Sequence, residues 1–331
     1  MQDVYGLPRV VEGVRYTERT VTTRDGVSLA VREYGSRSSA DHTVVLLHGL
    51  CVDQASWDVP LQLLLRRWGR KVRVITYDHR GHGQSGQAPI RTYQIDQLAS
   101  DLADVLAAMD ITGPLTLAGH SMGGMTALAY LSQPAAQRPA DPVGLVLVAT
   151  AAGKVAERGM GRWLATPAAR LLSGVLQRVR QETADRVIRT LAQPVCAALA
   201  GAGGFGDDER SNFRSMSAGV IGRNSVTTAA GFLANLRDYD VYSALGAICA
   251  QTTIISGGAD VMTPSTHAHD IAERIPGATH THIAAAGHMM LHEIPEVVAT
   301  AITDVLVMES VVDGDEDLAD IDAAMIAAFG A

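Results

Sequence analysis

The sequence predicts an α/β protein, built on a mostly parallel β-sheet that helices flank on both sides. Short, continuous apolar runs such as Thr43–Leu47 and Val143–Ala149 are typical of strands buried on both faces of a parallel sheet. Between these runs lie segments such as Tyr93–Met109, in which apolar residues recur at helical spacing. Strands that alternate with helices at short intervals require a parallel sheet that is covered on both faces.

The composition limits the class of protein and of partner. With 47% apolar residues among 331, the chain can bury a sizeable core. No apolar run approaches the roughly 20 residues that span a bilayer, and residues 1–10 lack the features of a secretory signal. We therefore expect a cytoplasmic protein with no integral membrane segment. A net charge of −8 argues against nucleic acid as a partner.

The N-terminal part of the chain contains a hairpin and the first buried strands. Thr20–Thr23 and Val27–Tyr34, separated by a short turn with an Asp-Gly pair, predict an antiparallel hairpin. The buried run at 43–47 follows. A helix is expected over Pro60–Trp68 before the next strand, Val72–Tyr77.

The middle of the chain predicts a strand, a sharp turn and a helix in succession. The helix over 93–109 is followed by an apolar run at Leu115–Ala118. An alanine-rich segment, Met125–Leu131, then has helical character. Val143–Ala149 follows as another fully buried strand.

The alternation stops after this strand. From Gly153 to Asp238 there is no buried-strand signal, and a glycine-rich loop occupies 201–206. Helical pieces are expected around this loop, at Trp163–Val179, Thr183–Leu199 and Val226–Leu236. This segment is therefore predicted to be a helical insertion within one α/β core.

The alternation then resumes and completes the core. The expected elements are a strand at Thr252–Ile255, a helix at Pro264–Ile275, a strand at Thr279–Ile283 and a helix at Pro295–Val307. We therefore predict a core from residues 1–150 and 240–308, with a helical cap at 151–239. Residues 309–331 form an acidic tail with no basic residue.

The turn between the predicted strand at 115–118 and the following helix carries a literal G-x-S-x-G, with Ser121 at its centre. A serine hydroxyl is a weak nucleophile, so it must be exposed and within reach of a base. A turn this tight strains Ser121 and requires small neighbours two positions away, as Gly119 and Gly123 are. A chance glycine–serine turn is the alternative, and the flanking strand and helix favour a nucleophile.

Five motifs follow one another in a recognisable order. They are His48-Gly49, Asp78-His79-Arg80-Gly81-His82-Gly83-Gln84-Ser85, Gly119-His120-Ser121-Met122-Gly123-Gly124, Gly257-Gly258-Ala259-Asp260 and Gly287-His288. On these motifs the chain, from about Thr20 to Val307, resembles the α/β-hydrolase superfamily, of the capped serine esterase and lipase type. The resemblance implies an eight-stranded type of sheet, with the cap inserted after the sixth strand.

The resemblance also implies the residues of a catalytic triad. It places the nucleophile at Ser121, the acid at Asp260 and the general base at His288, in the chain order that this fold uses. It takes the two backbone donors of an oxyanion hole from Met122 and Leu50.

Asp260 has an alternative interpretation, because it lies shortly before a predicted helix. Its carboxylate could merely cap that helix. Thr263, which directly precedes Pro264, is the better candidate for the cap, and this favours Asp260 as the triad acid.

Other residues suggest metal or nucleotide sites, and neither is expected. His267, His269, His280 and His282 form two H-x-H pairs without an accompanying carboxylate pattern, so solvated surface histidines are favoured. The cysteines Cys51, Cys196 and Cys249 include no C-x-x-C pair, which indicates reduced thiols. Gly81, Gly83 and Gly86 match G-x-G-x-x-G, but Ala88-Pro89 stands where the helix of a nucleotide site would begin. We expect no cofactor and no metal.

The expected activity is cleavage of a carboxylic ester by a serine hydrolase, and thioesters and lactones are the next candidate substrates. Apolar residues suited to an acyl chain occur in the insertion and beside the triad motifs, and each could equally belong to a core. They are Met160, Trp163, Phe213, Met216, Phe232, Met262 and Met289. The alternatives are a C–C hydrolase, a perhydrolase, or a hydrolase-fold receptor without turnover. The expected partner is a small, apolar ester, and the C–C hydrolase alternative would act on a dienoic or diketo substrate.

Overall fold

The framework of the protein is one nine-stranded sheet. The computed structural model describes residues 9–11, 14–35, 40–166 and 226–312. In chain order the strands are β1 (Arg9–Val11), β2 (Val14–Thr22), β3 (Ser28–Tyr34), β4 (His42–Leu47), β5 (Val72–Tyr77), β6 (Leu115–His120), β7 (Gly144–Val148), β8 (Gln251–Gly257) and β9 (Thr279–Ile283). Their order across the sheet is β1-β2-β3-β5-β4-β6-β7-β8-β9.

The sheet is antiparallel at one end and parallel over the rest of its width. The pairs β1–β2, β2–β3 and β3–β5 are antiparallel, and all the pairs from β5–β4 to β8–β9 are parallel. The predicted mostly parallel sheet is thereby confirmed, with β2 to β9 as its eight expected strands. The three-residue β1 was not foreseen, because so short a strand shows no period-2 pattern.

Helices cover both faces of this sheet. Among the described residues they are α1 (Asp58–Trp68), α2 (Ile95–Ala108), α3 (Met122–Ser132), α4 (Val226–Leu236), α5 (Ser265–Ala272), α6 (Met290–Glu293) and α7 (Pro295–Val312). None of them is both long and apolar enough to cross a membrane.

Each buried strand contributes to two cores, because successive side chains point to opposite faces of the sheet. On β4, Val45 belongs to the same core as Leu102 of α2. Its neighbour Val44 belongs to the other core, with Leu61 of α1 and Ile302 of α7. This double burial explains why the strands are continuous apolar runs rather than alternating ones.

The insertion leaves and rejoins the sheet region at a single place. Gly153 and Asp240 form an antiparallel bridge, and the Val241 N–H donates to the Ala152 carbonyl at 2.8 Å. Of the predicted cap at 151–239, the structure describes 151–166 and 226–239, including α4 over the predicted helix at 226–236. A 3₁₀ segment occupies Gly159–Ala165, and the predicted helical pieces at 167–199 lie outside the described residues. A separate cap domain therefore stays a prediction.

Candidate active site

The ends of four parallel strands bring the predicted site residues to one edge of the sheet. Leu50 follows β4, Ser121 follows β6, Asp260 follows β8 and His288 follows β9. The carboxyl ends of parallel strands lie at the same edge, which is where open α/β sheets bind their ligands.

Ser121 forms the sharp turn between β6 and α3. Its backbone angles, φ 51° and ψ −116°, are in a region that few residues other than glycine adopt. The Ser121 N–H donates to the Val148 carbonyl at 2.9 Å, and the Thr150 hydroxyl donates to the Ser121 carbonyl at 2.7 Å. Gly123 packs so closely that a Cβ there would overlap the Leu47 carbonyl oxygen. These contacts hold the serine in its strained conformation.

His288 lies within hydrogen-bond distance of both other predicted triad residues. His288 Nε2 is 3.0 Å from Ser121 Oγ, and His288 Nδ1 is 2.9 Å from Asp260 Oδ2. A carboxylate only accepts hydrogen bonds, so the neutral imidazole carries its proton on Nδ1. Nε2 is then free to accept a proton from the serine hydroxyl, as a general base must.

Asp260 is held by its own loop as well as by His288. Its Oδ1 accepts the N–H groups of Met262 at 2.8 Å and Thr263 at 2.9 Å, and its Oδ2 accepts the Thr263 hydroxyl at 2.8 Å. The prediction that Thr263 caps the next helix was wrong, because its hydroxyl turns to Asp260. Pro264 stands at the N-terminus of α5 with no side-chain cap.

The two charged partners stabilise each other's ionised forms. Burial favours a neutral Asp260, but His288 and the hydrogen bonds from Thr263 outweigh it and lower the pKa of this carboxyl. Burial likewise opposes a charged His288, but Asp260 and then Glu293 outweigh it and raise the pKa of this imidazole. The site can therefore accept a proton at His288 while Asp260 remains ionised.

The two predicted oxyanion donors come from segments that adjoin Ser121. Met122 is the first residue of α3, so its N–H has no partner within the helix. Leu50 follows Gly49, where a Cβ would lie 3.3 Å from Ser121 Cβ. Leu50 itself is half-buried. The role of both N–H groups remains a prediction.

Three buried histidines support the loop that carries Leu50. The His79 N–H donates to His48 Nε2 at 2.9 Å, and the Cys51 N–H donates to His82 Nε2 at 3.3 Å. Burial lowers the pKa of His48 to about 4 and of His82 to about 3, so both rings are neutral at pH 7. A neutral imidazole can accept a hydrogen bond, and these two rings use that capacity to fix the loop.

The other histidines differ from expectation in one respect. His282 and His269 are exposed and His280 is half-buried, and His280 and His282 both contact the Ser256 hydroxyl, at 2.7 and 3.1 Å. His267 was expected at the surface, and this was wrong, because its side chain is buried on the inner face of α5. Within the described ranges no three histidine, cysteine or acidic side chains are grouped as metal ligands.

The glycines at 81–86 have a packing role. Gly83 lies against the Asp78 carboxylate, where a Cβ would overlap it, and the helix α2 begins only at Ile95.

Phe232 is fully buried against Tyr93, with ring centroids 5.2 Å apart. Phe232 therefore belongs to a core. The side chains of the other apolar candidates in the insertion lie outside the described residues, and Met262 and Met289 are half-buried.

Two residues that hold the His288 loop were not foreseen from the sequence. The Glu293 carboxylate accepts the N–H groups of Gly287 and Met289, and His120 Nε2 contacts the His288 carbonyl at 2.8 Å. Neither residue belongs to the predicted site. Their contacts arise from folding, and no spacing in the sequence signals them.

Comparisons with known proteins support the architecture. Among solved structures, a hydrolase from Pseudomonas aeruginosa PA01 is similar with a TM-score of 0.64 and 26% identity, over 87% of this chain and 98% of that one. An esterase from Exiguobacterium antarcticum is similar with a TM-score of 0.67 and 24% identity, over 86% of this chain and 98% of that one. The second likeness, below 25% identity, is evidence for the fold alone.

Sequence comparison finds curated relatives with several activities. An sn-1-specific diacylglycerol lipase of Mus musculus is 25% identical over 268 residues, 80% of each chain. A bifunctional esterase/perhydrolase of Acinetobacter calcoaceticus is 30% identical over 40% of this chain, and a non-heme chloroperoxidase of Streptomyces lividans is 34% identical over 38%. In these last two matches the chain spans 44% and 42% of the relative's own length. The family model for the alpha/beta hydrolase fold matches residues 42–295, so the chain belongs to that family.

Proposed function

We propose that this protein is a serine hydrolase that cleaves a carboxylic ester, thioester or lactone of a small or medium apolar acyl group. The observation that carries the proposal is the hydrogen-bonded series from Ser121 through His288 to Asp260, with 3.0 and 2.9 Å between successive groups. Its serine lies on a strained turn at the start of a helix, where backbone N–H groups are free.

The proposed reaction has two acyl-transfer steps. Ser121 Oγ attacks the substrate carbonyl while His288 Nε2 takes the hydroxyl proton, and His288 then gives that proton to the leaving group. His288 next removes a proton from water, whose oxygen attacks the acyl carbon. The bond between that carbon and Ser121 Oγ then breaks, His288 returns the proton to Ser121 Oγ, and the acid is released. Asp260 stays ionised and stabilises the imidazolium in both steps. The N–H groups of Leu50 and Met122 would bind the oxyanion.

The relatives support an ester as the substrate but leave a second candidate. Both a diacylglycerol lipase and an esterase/perhydrolase are similar to this chain. A perhydrolase uses the same acyl-enzyme, with hydrogen peroxide in place of water as the second nucleophile, and yields a peracid. The similarity to an esterase/perhydrolase and to chloroperoxidases is the observation that favours this candidate.

The experiment combines a covalent probe with a substrate series. A fluorophosphonate probe should label the wild-type chain and leave Ser121→Ala unlabelled, and p-nitrophenyl esters of increasing chain length should be hydrolysed by the wild type. Addition of hydrogen peroxide to the ester assay would divert the acyl group to a peracid if the enzyme is a perhydrolase. A labelled protein without esterase activity would favour the C–C hydrolase. Absence of labelling would favour a receptor and contradict the proposal.

A further inference from the structure

One carboxylate accepts two hydrogen bonds from the loop that carries His288. The N–H of Gly287 donates to Glu293 Oε2 at 2.6 Å, and the N–H of Met289 donates to Glu293 Oε1 at 3.1 Å. Glu293 thus accepts from the residues immediately before and after His288. A Cβ at Gly287 would lie 3.1 Å from Glu293 Oε1, so the carboxylate approaches this closely because residue 287 is glycine.

The opposite side of the same loop is held by the residue before the nucleophile. His120 Nε2 donates to the His288 carbonyl at 2.8 Å. The His120 ring is buried, and burial lowers its pKa to about 3, so it is neutral with one N–H to donate. Three successive residues, 287 to 289, therefore have a backbone group fixed by one of two side chains. A backbone fixed in this way orients the imidazole toward Ser121.

Two negative charges act on the His288 imidazole. Asp260 contacts Nδ1 from the loop after β8, and Glu293, on α6, accepts the backbone N–H groups on both sides of His288 and favours its charged form. The other polar groups around the ring are neutral: Ser121 at the start of α3, Thr263, whose hydroxyl is 3.4 Å from Nδ1, and His120, whose ring centroid is 5.1 Å away. Because Glu293 is exposed, its charge acts through solvent and is weaker than that of Asp260.

We propose that Glu293 is a positioning residue for His288, with two separable effects. Its two oxygens fix the loop so that Nε2 meets Ser121, and its charge favours the imidazolium that forms during the reaction. This inference rests on the proposed role of His288 as general base. It adds a residue outside the triad on which the rate and its pH dependence should both depend.

Two substitutions separate the effects. Glu293→Gln removes the charge and leaves one oxygen to accept, so we expect the acidic limb of kcat/KM to move to lower pH by about half a unit. Glu293→Asp keeps the charge but is too short to bridge both N–H groups, so we expect the limb to stay in place. In both variants kcat should fall by about tenfold with KM within twofold, because alignment is lost and substrate contacts are kept.

The matched control is Glu296→Gln, which removes the same charge from an exposed residue in the first turn of α7. We expect this variant to retain the wild-type kcat, KM and pH profile. Circular dichroism and thermal unfolding of all three variants should verify their folding. If Glu293→Gln loses no more activity than Glu296→Gln and leaves the acidic limb unchanged, the inference is overturned.

A measurement without substrate separates this inference from the proposed function. The His288 imidazole can be titrated by proton NMR, with its signal assigned by its absence in His288→Gln. Its pKa should fall by about half a unit in Glu293→Gln and stay constant in Glu293→Asp and Glu296→Gln. A wild-type protein that hydrolyses no ester but shows this shift would contradict the proposed function and support the charge effect of Glu293. An active wild type whose His288 titration is unmoved in Glu293→Gln would contradict that effect alone.

Discussion

Ser121, the proposed nucleophile, has a backbone conformation that costs stability. A residue other than glycine at φ 51° and ψ −116° is destabilised by about 1–3 kcal/mol, which the surrounding contacts must offset. The contacts with Val148 and Thr150 hold the backbone, and the close packing of Gly123 leaves no room for another arrangement. The turn that presents the Ser121 hydroxyl therefore lowers the stability of the fold, and this loss of stability can be measured.

Ser121→Ala and Ser121→Gly form a matched pair that tests both the backbone strain and the role of the hydroxyl. Both variants lack the hydroxyl, so we expect kcat to fall at least about 10⁴-fold in each. Glycine adopts this conformation without strain, so Ser121→Gly should be about 1 kcal/mol more stable than Ser121→Ala. Urea unfolding measures the difference, and ester hydrolysis measures the loss of activity. Equal stabilities would contradict the assignment of strain, and activity above a tenth of wild type would contradict the nucleophile.

Asp260→Asn tests the acid without changing its shape. The asparagine oxygen can still accept the N–H groups of Met262 and Thr263, so we expect the fold to be retained. Its NH₂ group favours the wrong tautomer of His288 and provides no negative charge for the imidazolium. The expected fall in kcat is about 10⁴-fold. Stopped assays with a p-nitrophenyl ester measure it, and a fall of less than about tenfold would require another acid.

At the scale of the elements, the site depends on loops that contact one another rather than on any single loop. The ring of His120, at the end of β6, donates to the His288 carbonyl after β9. Its other nitrogen faces the loop after β4, because a Cβ on Gly49 would lie 2.9 Å from His120 Nδ1. One side chain therefore lies between the loop of the proposed base and the loop of the proposed oxyanion donor.

Replacement of His120 tests this arrangement. His120→Leu leaves the His288 carbonyl without its donor, and we expect kcat to fall about tenfold. His120→Gln provides an amide N–H in a similar position and should retain most of the activity. Steady-state kinetics of the two variants make the comparison. If leucine and glutamine behave alike, the hydrogen bond from Nε2 has no role in orienting His288.

The sequence predicted those features that depend on neighbours along the chain. The G-x-S-x-G turn and the strand and helix around it are local patterns, whereas Asp260 and His288 were assigned from the resemblance to a family. The features that escaped prediction depend on contacts across the fold. His267 was placed at the surface because no carboxylate pattern accompanies the two H-x-H pairs, but it is buried on α5 with Ala268 and Ile271. The hydroxyl of Thr263, expected to cap α5, donates to Asp260 instead. Glu293 meets Gly287 only because a short turn, α6, brings it back.

At the scale of the whole molecule, several neutral histidines are buried in the fold. Burial lowers the pKa of His42, His48 and His267 to about 4, of His82 and His120 to about 3, and of His79 well below its ordinary value. Below a pH of about 6.5 the unfolded chain protonates these rings while the folded chain does not. The stability they contribute is therefore complete above pH 6.5 and is lost as the pH falls toward 4.

We expect the free energy of unfolding to fall between pH 7 and pH 4, with a slope of about 1.4 kcal/mol per pH unit for each ring that is protonated only in the unfolded chain. Urea unfolding at intervals of half a pH unit would measure this slope. His42→Gln should reduce the slope, because it removes one ring that is neutral in the fold. His269→Gln, at an exposed ring, is the control and should leave the slope unchanged. A melting temperature that is constant from pH 7 to pH 4.5 would contradict the prediction.

The bridge between Gly153 and Asp240 has a consequence for how such a protein can diversify. Because β7 and β8 pair directly with each other, the segment between Gly153 and Asp240 does not set the register of these two strands. The length and sequence of the inserted segment can then change during evolution while the Ser121 hydroxyl, the His288 imidazole and the Asp260 carboxylate keep their positions. In the proposed hydrolase, the inserted segment can therefore vary without displacing the groups that would break the substrate bond.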